Sequence, residues 1–161
     1  KMIITNGTLL ALGGAGIALG VAGISTAIGV KNAGVAAAGS VAEKRENFRN
    51  ALVLQALPQT QTVYGFIIAL LILMGIGVLG AERDITTVQG FAMLGAGIIA
   101  ALTSLSAIFQ GMVSSAGIIS SAKNSEAFVP SLVFSGQVET PAIFGFITAL
   151  ILLVVGLGVL G

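Results

Sequence analysis

Four long stretches without a charge, at 2–30, 50–81, 85–122 and 127–161, limit what this chain can become; only Glu139 interrupts the last. Each is longer than the ~20 residues an α-helix needs to cross the hydrocarbon core of a bilayer. In lipid every backbone N–H and C=O must be paired within the protein, which an apolar run achieves as a helix. Only 8% of the residues are charged, against roughly a quarter in soluble domains. The chain is therefore expected to be an all-α membrane protein with four transmembrane helices and no separate soluble domain. The longer runs exceed one crossing, so some helices should project beyond the bilayer or turn among the headgroups. The first run is too long for a secretory leader and no polar cleavage region follows it, so it reads as a retained span.

Composition removes several function classes. There is no cysteine and no histidine, which excludes disulfides, thiolate chemistry and imidazole-based metal sites. A net charge of +1 with no basic stripe gives nothing to hold nucleic acid. No G-x-x-x-x-G-K-[ST] loop is present to cradle a nucleotide, so the chain is not expected to be catalytic by itself. Lys31, Lys44, Arg45, Arg49 and Lys123 fall after the first and third spans, with Lys31 read as a snorkelling residue at a helix end. Only Lys1 and Arg83 fall on the other side. That bias places the 1–2 and 3–4 loops in the cytoplasm and the termini outside.

The chain is an internal duplication. Residues 52–73 (LVLQALPQTQTVYGFIIALLIL) align with 132–153 (LVFSGQVETPAIFGFITALILL) at a constant offset, with Leu52, Val53, Thr60, Gly65, Phe66, Ile67, Ala69, Leu70 and Leu73 repeated identically. Within this alignment Tyr64 faces Phe144, and Gln59 faces Glu139. Two tandem helical hairpins follow, 1–81 and 82–161, of which only the second carries an acid at depth. The first and third spans are rich in small residues, with four-residue spacings at Gly16/Gly20, Ala96/Ala100/Ser104 and Gly111/Ser115. Such spacing lets helix backbones approach closely in lipid. The second and fourth spans carry bulky Leu, Ile, Phe and Val instead. Thin helices beside thick ones make a wedge. The small residues alone fit packing within one four-helix bundle as well as closure of identical wedges into a homo-oligomeric ring with the thin helices inside, and the duplication favours the ring.

Glu139 is the functional signal. A carboxylate at membrane depth costs about 2.5–3.5 kcal/mol on insertion scales, so such acids mark ion or proton pathways. Positions 57, 60, 61 and 64 are three and four residues apart and share one helix face. That face offers the Leu57 carbonyl, the Thr60 hydroxyl, the Gln61 amide and the Tyr64 phenol, next to the kink expected at Pro58. With Gln110 and Glu139 added, the set is oxygen-rich around one negative charge, which suits a hard cation such as Na⁺. Gln55, Gln59, Thr103 and Gln137 read instead as interhelical hydrogen-bond partners.

The paired segments LQALPQTQTVYGF and VETPAIFGF, the four spans and the late glutamate resemble the proteolipid ring subunit (K or c) of V-type and A-type rotary ATPases. The resemblance extends over essentially the whole chain and is closest to the sodium-translocating branch. It implies that the Leu57 carbonyl, Thr60, Gln61, Gln110 and Glu139 ligate Na⁺, with Tyr64 hydrogen-bonded to the carboxylate. Pro141, after Glu139 and Thr140, is a local difference. The implied partners are identical subunits in a ring, a stator subunit with an intramembrane arginine, central-stalk subunits and lipid, with no nucleic acid. The implied setting is the cell membrane of a bacterium or archaeon. Three other readings stand beside this one. A proton-translocating ring would use the same glutamate with H⁺ in place of Na⁺. A self-contained four-span transporter would be expected to show a substrate cavity with several polar groups or discontinuous helices. A purely structural module leaves Glu139 unexplained.

Overall fold

The structure, a computed structural model, describes residues 4–78 and 83–157; Lys1 and Glu82 lie outside them. The described residues form four long helical spans: α1 (Asn6–Glu43), α2 (Arg45–Gly75), α3 (Thr87–Lys123) and α4 (Ser125–Gly156). At ~1.5 Å per residue, the 38 residues of α1 extend about 57 Å, nearly twice the ~30 Å hydrocarbon core. Helices that outreach the bilayer are thus part of the fold. The turn between α1 and α2 is the single residue Lys44, so Arg45 and Arg49 ride on α2. Lys31 sits inside α1, twelve positions before its end at Glu43, and is exposed. The expected helix end at Lys31 is therefore corrected. Asn32 and Gly34 after it could have capped a helix, but neither turns to positive φ, and the alanines and valines beyond carry the helix on to Glu43.

The tightest packing joins α1 to α3. Gly7, Gly14 and Gly29 on α1 face Gly90, Gly97 and Gly111 on α3, and a Cβ on any of the α3 glycines would collide with backbone atoms of its α1 partner. On α3 these contacts recur at multiples of seven, as for helices running side by side and meeting every second turn. The four-residue spacing read from the sequence marks these contacts only in part. Ala96, Ala100 and Ser104 are buried along α3, but Gly16 and Gly20 are exposed, and an added Cβ there would meet nothing within 4 Å.

The outer helices pack on this pair at single small residues. Gly65 of α2 lies against Ala18 and Ala22, while Gly145 of α4 lies against Thr103. Thr103 bonds to the Ile99 carbonyl of its own helix at 2.9 Å, so it fills space between helices without bridging them. Bulky side chains on the outer helices, among them Val63, Phe66, Met74, Phe144, Ile147 and Ile151, are left exposed, as a lipid-facing surface requires. Polar staples hold the ends. Thr5 caps α1 by accepting from the Thr8 N–H and donates to the Ile85 carbonyl at 2.8 Å. At the other end buried Asn47 donates to Ser40 at 2.6 Å and to the Ile118 carbonyl at 3.1 Å, and accepts from Ser121. The last turn of α2 closes on Gly77 (φ 82) in a Schellman cap, with Val78 N–H donating to the Leu73 carbonyl at 3.1 Å.

Gly97→Val is expected to drive its side chain into the Gly14 backbone. Overpacking of this kind costs about 1–3 kcal/mol, to be read as a lowered thermal midpoint of the detergent-solubilised protein. Gly16→Val, pointing away from its own chain, is expected to spare that midpoint and to act only on association between chains, read by native mass spectrometry.

Candidate ion-binding site

Three of the four spans break where the polar residues gather. In α2, Pro58 has no N–H to offer the Leu54 carbonyl, and the chain tightens to a 3₁₀ turn over Leu57–Gln59. In α4 the break falls at Val138 and Glu139, where Glu139 N–H reaches back only three residues, to Gly136, at 3.1 Å. Pro141 is responsible, since it removes the donor that the Gln137 carbonyl would take. The same proline suits the first turn of the following helix, Thr140–Gly156. In α3 the break is at Leu105. There Thr103 and Ser104 turn their hydroxyls back onto Ile99 and Ala101 carbonyls at 2.9 and 2.6 Å, a habit that bends helices. Only α1 crosses this level unbroken.

The breaks bring the expected residues together in two groups. The first is a directional chain of hydrogen bonds. Thr60 Oγ1 lies 3.1 Å from the Leu57 carbonyl and 3.2 Å from Gln61 Oε1. Gln61 Nε2 donates to Gln110 Oε1 at 2.9 Å, and Gln110 Nε2 donates to the Ser135 carbonyl at 3.1 Å. Gln61 and Gln110 are both fully buried, so each amide must find partners inside the protein. The second group is the pair Tyr64 and Glu139, whose phenol donates to the carboxylate at 2.6 Å. Tyr64 is held by stacking on Phe146, ring centroids 5.1 Å apart. Glu139 is half-buried, and among the described residues its hydrogen bond runs to Tyr64, not to Thr60, Gln61 or Gln110. Thr60 and Tyr64 are one helical turn apart, which sets the two groups side by side.

The arrangement has a definite chemistry. The Leu57, Thr60 and Gln61 oxygens form a neutral cluster beside a single carboxylate. Among the described residues no group of three or more His, Cys, Asp or Glu could hold a metal ion. One negative charge with several neutral oxygens balances a monovalent hard cation, or the carboxyl can take a proton. Residues not singled out in the sequence complete the surroundings. The Ser135 carbonyl anchors Gln110, Ser135 Oγ pairs with Ser114 at 2.7 Å, and buried Ser106 lies 3.5 Å from Gln61 Nε2. Ser106, Gln110 and Ser114 are spaced by four on α3. That one-face pattern was available in the sequence but is masked by how common serine is in membrane helices. Gln59 and Gln137, expected as interhelical partners, are exposed on the outside of the chain.

The family model for the C subunit of ATP synthase matches twice, over residues 13–72 and 94–152, once per hairpin. The A-type ATP synthase subunit K of Methanocaldococcus jannaschii is 44% identical over 146 residues, 91% of this chain and 62% of that protein. The chain thus spans less than two thirds of that relative's length. The V-type sodium ATPase subunit K of Enterococcus hirae is 40% identical over 130 residues, 80% of each chain.

Tyr64→Phe removes the hydroxyl that bonds to Glu139, and a bond to a charged group is worth about 1.5–3 kcal/mol. The carboxyl of the variant is expected to react with a hydrophobic carbodiimide about ten-fold faster or more. Peptide mass spectrometry of the 128–157 region checks this.

Proposed function

Because the chain belongs to the family of ATP synthase C subunits, in the V/A-type proteolipid (K or c) form, we propose that it is a membrane rotor-ring subunit that carries Na⁺ on Glu139. Copies of the chain form the ring. Residues 1–81 supply the hairpin without an ion carboxylate, and 82–161 the hairpin that bears it. The observation that carries this reading is a lone half-buried acid in a membrane span, held by Tyr64 beside the Leu57, Thr60 and Gln61 oxygens. With a cation bound to the Leu57 carbonyl, Thr60, Gln61, Gln110 and Glu139, the carboxylate is neutralised and is free to turn past lipid. Empty, it is an unpaired charge in a low-dielectric setting, which is far costlier. Loading and unloading therefore belong beside a stator that supplies water and an intramembrane arginine. Rotation between offset access paths couples ion movement to ATP hydrolysis or synthesis on soluble subunits joined through a central stalk.

The choice of Na⁺ is supported by the number of neutral oxygens, more than a proton needs, and by the likeness to a sodium ATPase subunit. A proton is the second reading. It is favoured by the single bond from Tyr64 to Glu139, which would satisfy a carboxyl without any other ligand. The cytoplasmic side is assigned to the helix ends around Lys44, Arg45, Arg49 and Lys123. With Lys31 inside α1 the count is four basic residues against Arg83 and Lys1, in the same direction.

Carbodiimide labelling of the detergent-solubilised ring over a pH series, with and without Na⁺, tests the proposal. Specific labelling of Glu139 that Na⁺ suppresses is expected; labelling that follows pH and ignores Na⁺ would make this a proton ring. Glu139→Gln keeps hydrogen-bonding capacity but not the charge, so the variant ring should assemble and transport nothing. Retained pumping would refute the site.

A further inference from the structure

α1 contributes none of the ion ligands proposed above, yet it touches the break in α2 at two points. Thr26 Oγ1 donates to the Pro58 carbonyl at 2.9 Å. One turn away and in the opposite direction, Thr62 Oγ1 donates to the Ala22 carbonyl at 3.3 Å. Residues 22 and 26 on α1, and 58 and 62 on α2, are each four apart, so the two antiparallel helices exchange a reciprocal pair of hydroxyl-to-carbonyl bonds. Between the two anchors on α2 lie Gln59, Thr60 and Gln61. Gly29 sits at the same junction: a Cβ there would collide with the Ala107 carbonyl of α3 and lie 3.0 Å from Pro58 Cβ.

We propose that Thr26 and Thr62 are positioning residues that splint the broken segment of α2 to unbroken α1 and so favour a metal cation over a proton at the site. This rests on the rotor-subunit reading given above. The physical argument starts from Pro58. Its ring fixes φ near −65°, and Thr26 fixes the direction of its carbonyl. With φ set by the ring, ψ confined by the 3₁₀ turn over Leu57–Gln59 and the Pro58 carbonyl bonded to α1, the Leu57–Pro58 peptide plane has little freedom relative to α1, and the Leu57 carbonyl is aimed. Thr62 pins the far end of the same segment, which holds Thr60 and Gln61 in register with that carbonyl. Such precision matters unequally for the two ions. A cation needs several oxygens at ligand distance together, and a small rotation of the segment withdraws two or three of them at once. A proton on Glu139 needs one partner, Tyr64.

The test uses the assembled ring carrying Thr26→Val and Thr62→Val, singly and together, with Thr26→Ser and Thr62→Ser as rescue variants. Thr148→Val is the control, since Thr148 is exposed and among the described residues bonds within its own helix, to Phe144 at 2.8 Å. In the double variant the Na⁺ concentration that half-protects Glu139 from carbodiimide is expected to rise about ten-fold, for two hydrogen bonds of ordinary strength. The pH midpoint of labelling without Na⁺ should stay put, and the serine variants should restore protection. Amide hydrogen exchange over residues 59–64 should quicken in the valine variants and not in the control. An unchanged half-protecting concentration, a pH midpoint that moves with it, or unchanged exchange would overturn the proposal. The single variants decide the matter if the double variant does not assemble. A wild-type ring indifferent to Na⁺ would sink the sodium reading instead, and the exchange measurement alone would then judge the splint.

Discussion

One carboxylate in a membrane span cannot be left to itself, and the interior of this protein is arranged around that constraint. Glu139 is half-buried and receives the Tyr64 hydroxyl at 2.6 Å. Tyr64 is in turn seated on Phe146. Three helices break at the level where the polar side chains gather. Each break has its own local cause: Pro58 in α2, the back-bonded Thr103 and Ser104 in α3, and Pro141 in α4. At two of the breaks a neighbouring helix donates to a carbonyl of the broken segment. The Pro58 carbonyl receives Thr26, and the Ser135 carbonyl receives Gln110.

The two halves of the duplication have diverged into complementary parts. The second hairpin brings the acid, while the first brings Tyr64, Thr60, Gln61 and the Leu57 carbonyl on the helix where the repeat carries Gln59. At the equivalent places in the second hairpin stand Phe144, Thr140 and Pro141, which could not reproduce the same donor set. The pairing works only because α2 and α4 meet across the α1–α3 spine. Glycines at Gly14/Gly97 and Gly29/Gly111 let that spine close to backbone contact, and the outer helices converge on it.

Much of this was legible in the residues. Long uncharged runs foretold four membrane-crossing helices, the constant offset foretold two hairpins, and the three- and four-residue spacings put positions 57, 60, 61 and 64 on one face. Elsewhere the reading fell short for identifiable reasons. Lys31 looked like a helix end because a charge after an apolar run resembles a boundary, yet Asn32 and Gly34 beyond it keep negative φ, so no cap forms and the helix continues to Glu43. The spacing of Gly16 and Gly20 marked a face for close helix approach without saying which neighbour it meets, and their exposure shows that the neighbour is not a helix of the same chain. Ser106, Ser135 and Thr26 passed unnoticed because a hydroxyl in a membrane helix usually bonds to its own backbone. Only the neighbouring helix turns it outward.

The sequence by itself determined the solvent this chain folds in, the number of spans, the duplication and the identity of the single deep acid. These depend on composition and local periodicity, which any stretch of chain carries with it. Tertiary structure alone decided that Glu139 meets Tyr64 across seventy-five positions, and that the amides of Gln61 and Gln110 lock together. It also decided that α1, with no ligand of its own, braces the break in α2. Those outcomes depend on which helix faces lie within about 3 Å of one another after packing, a distance set by glycines and prolines acting together.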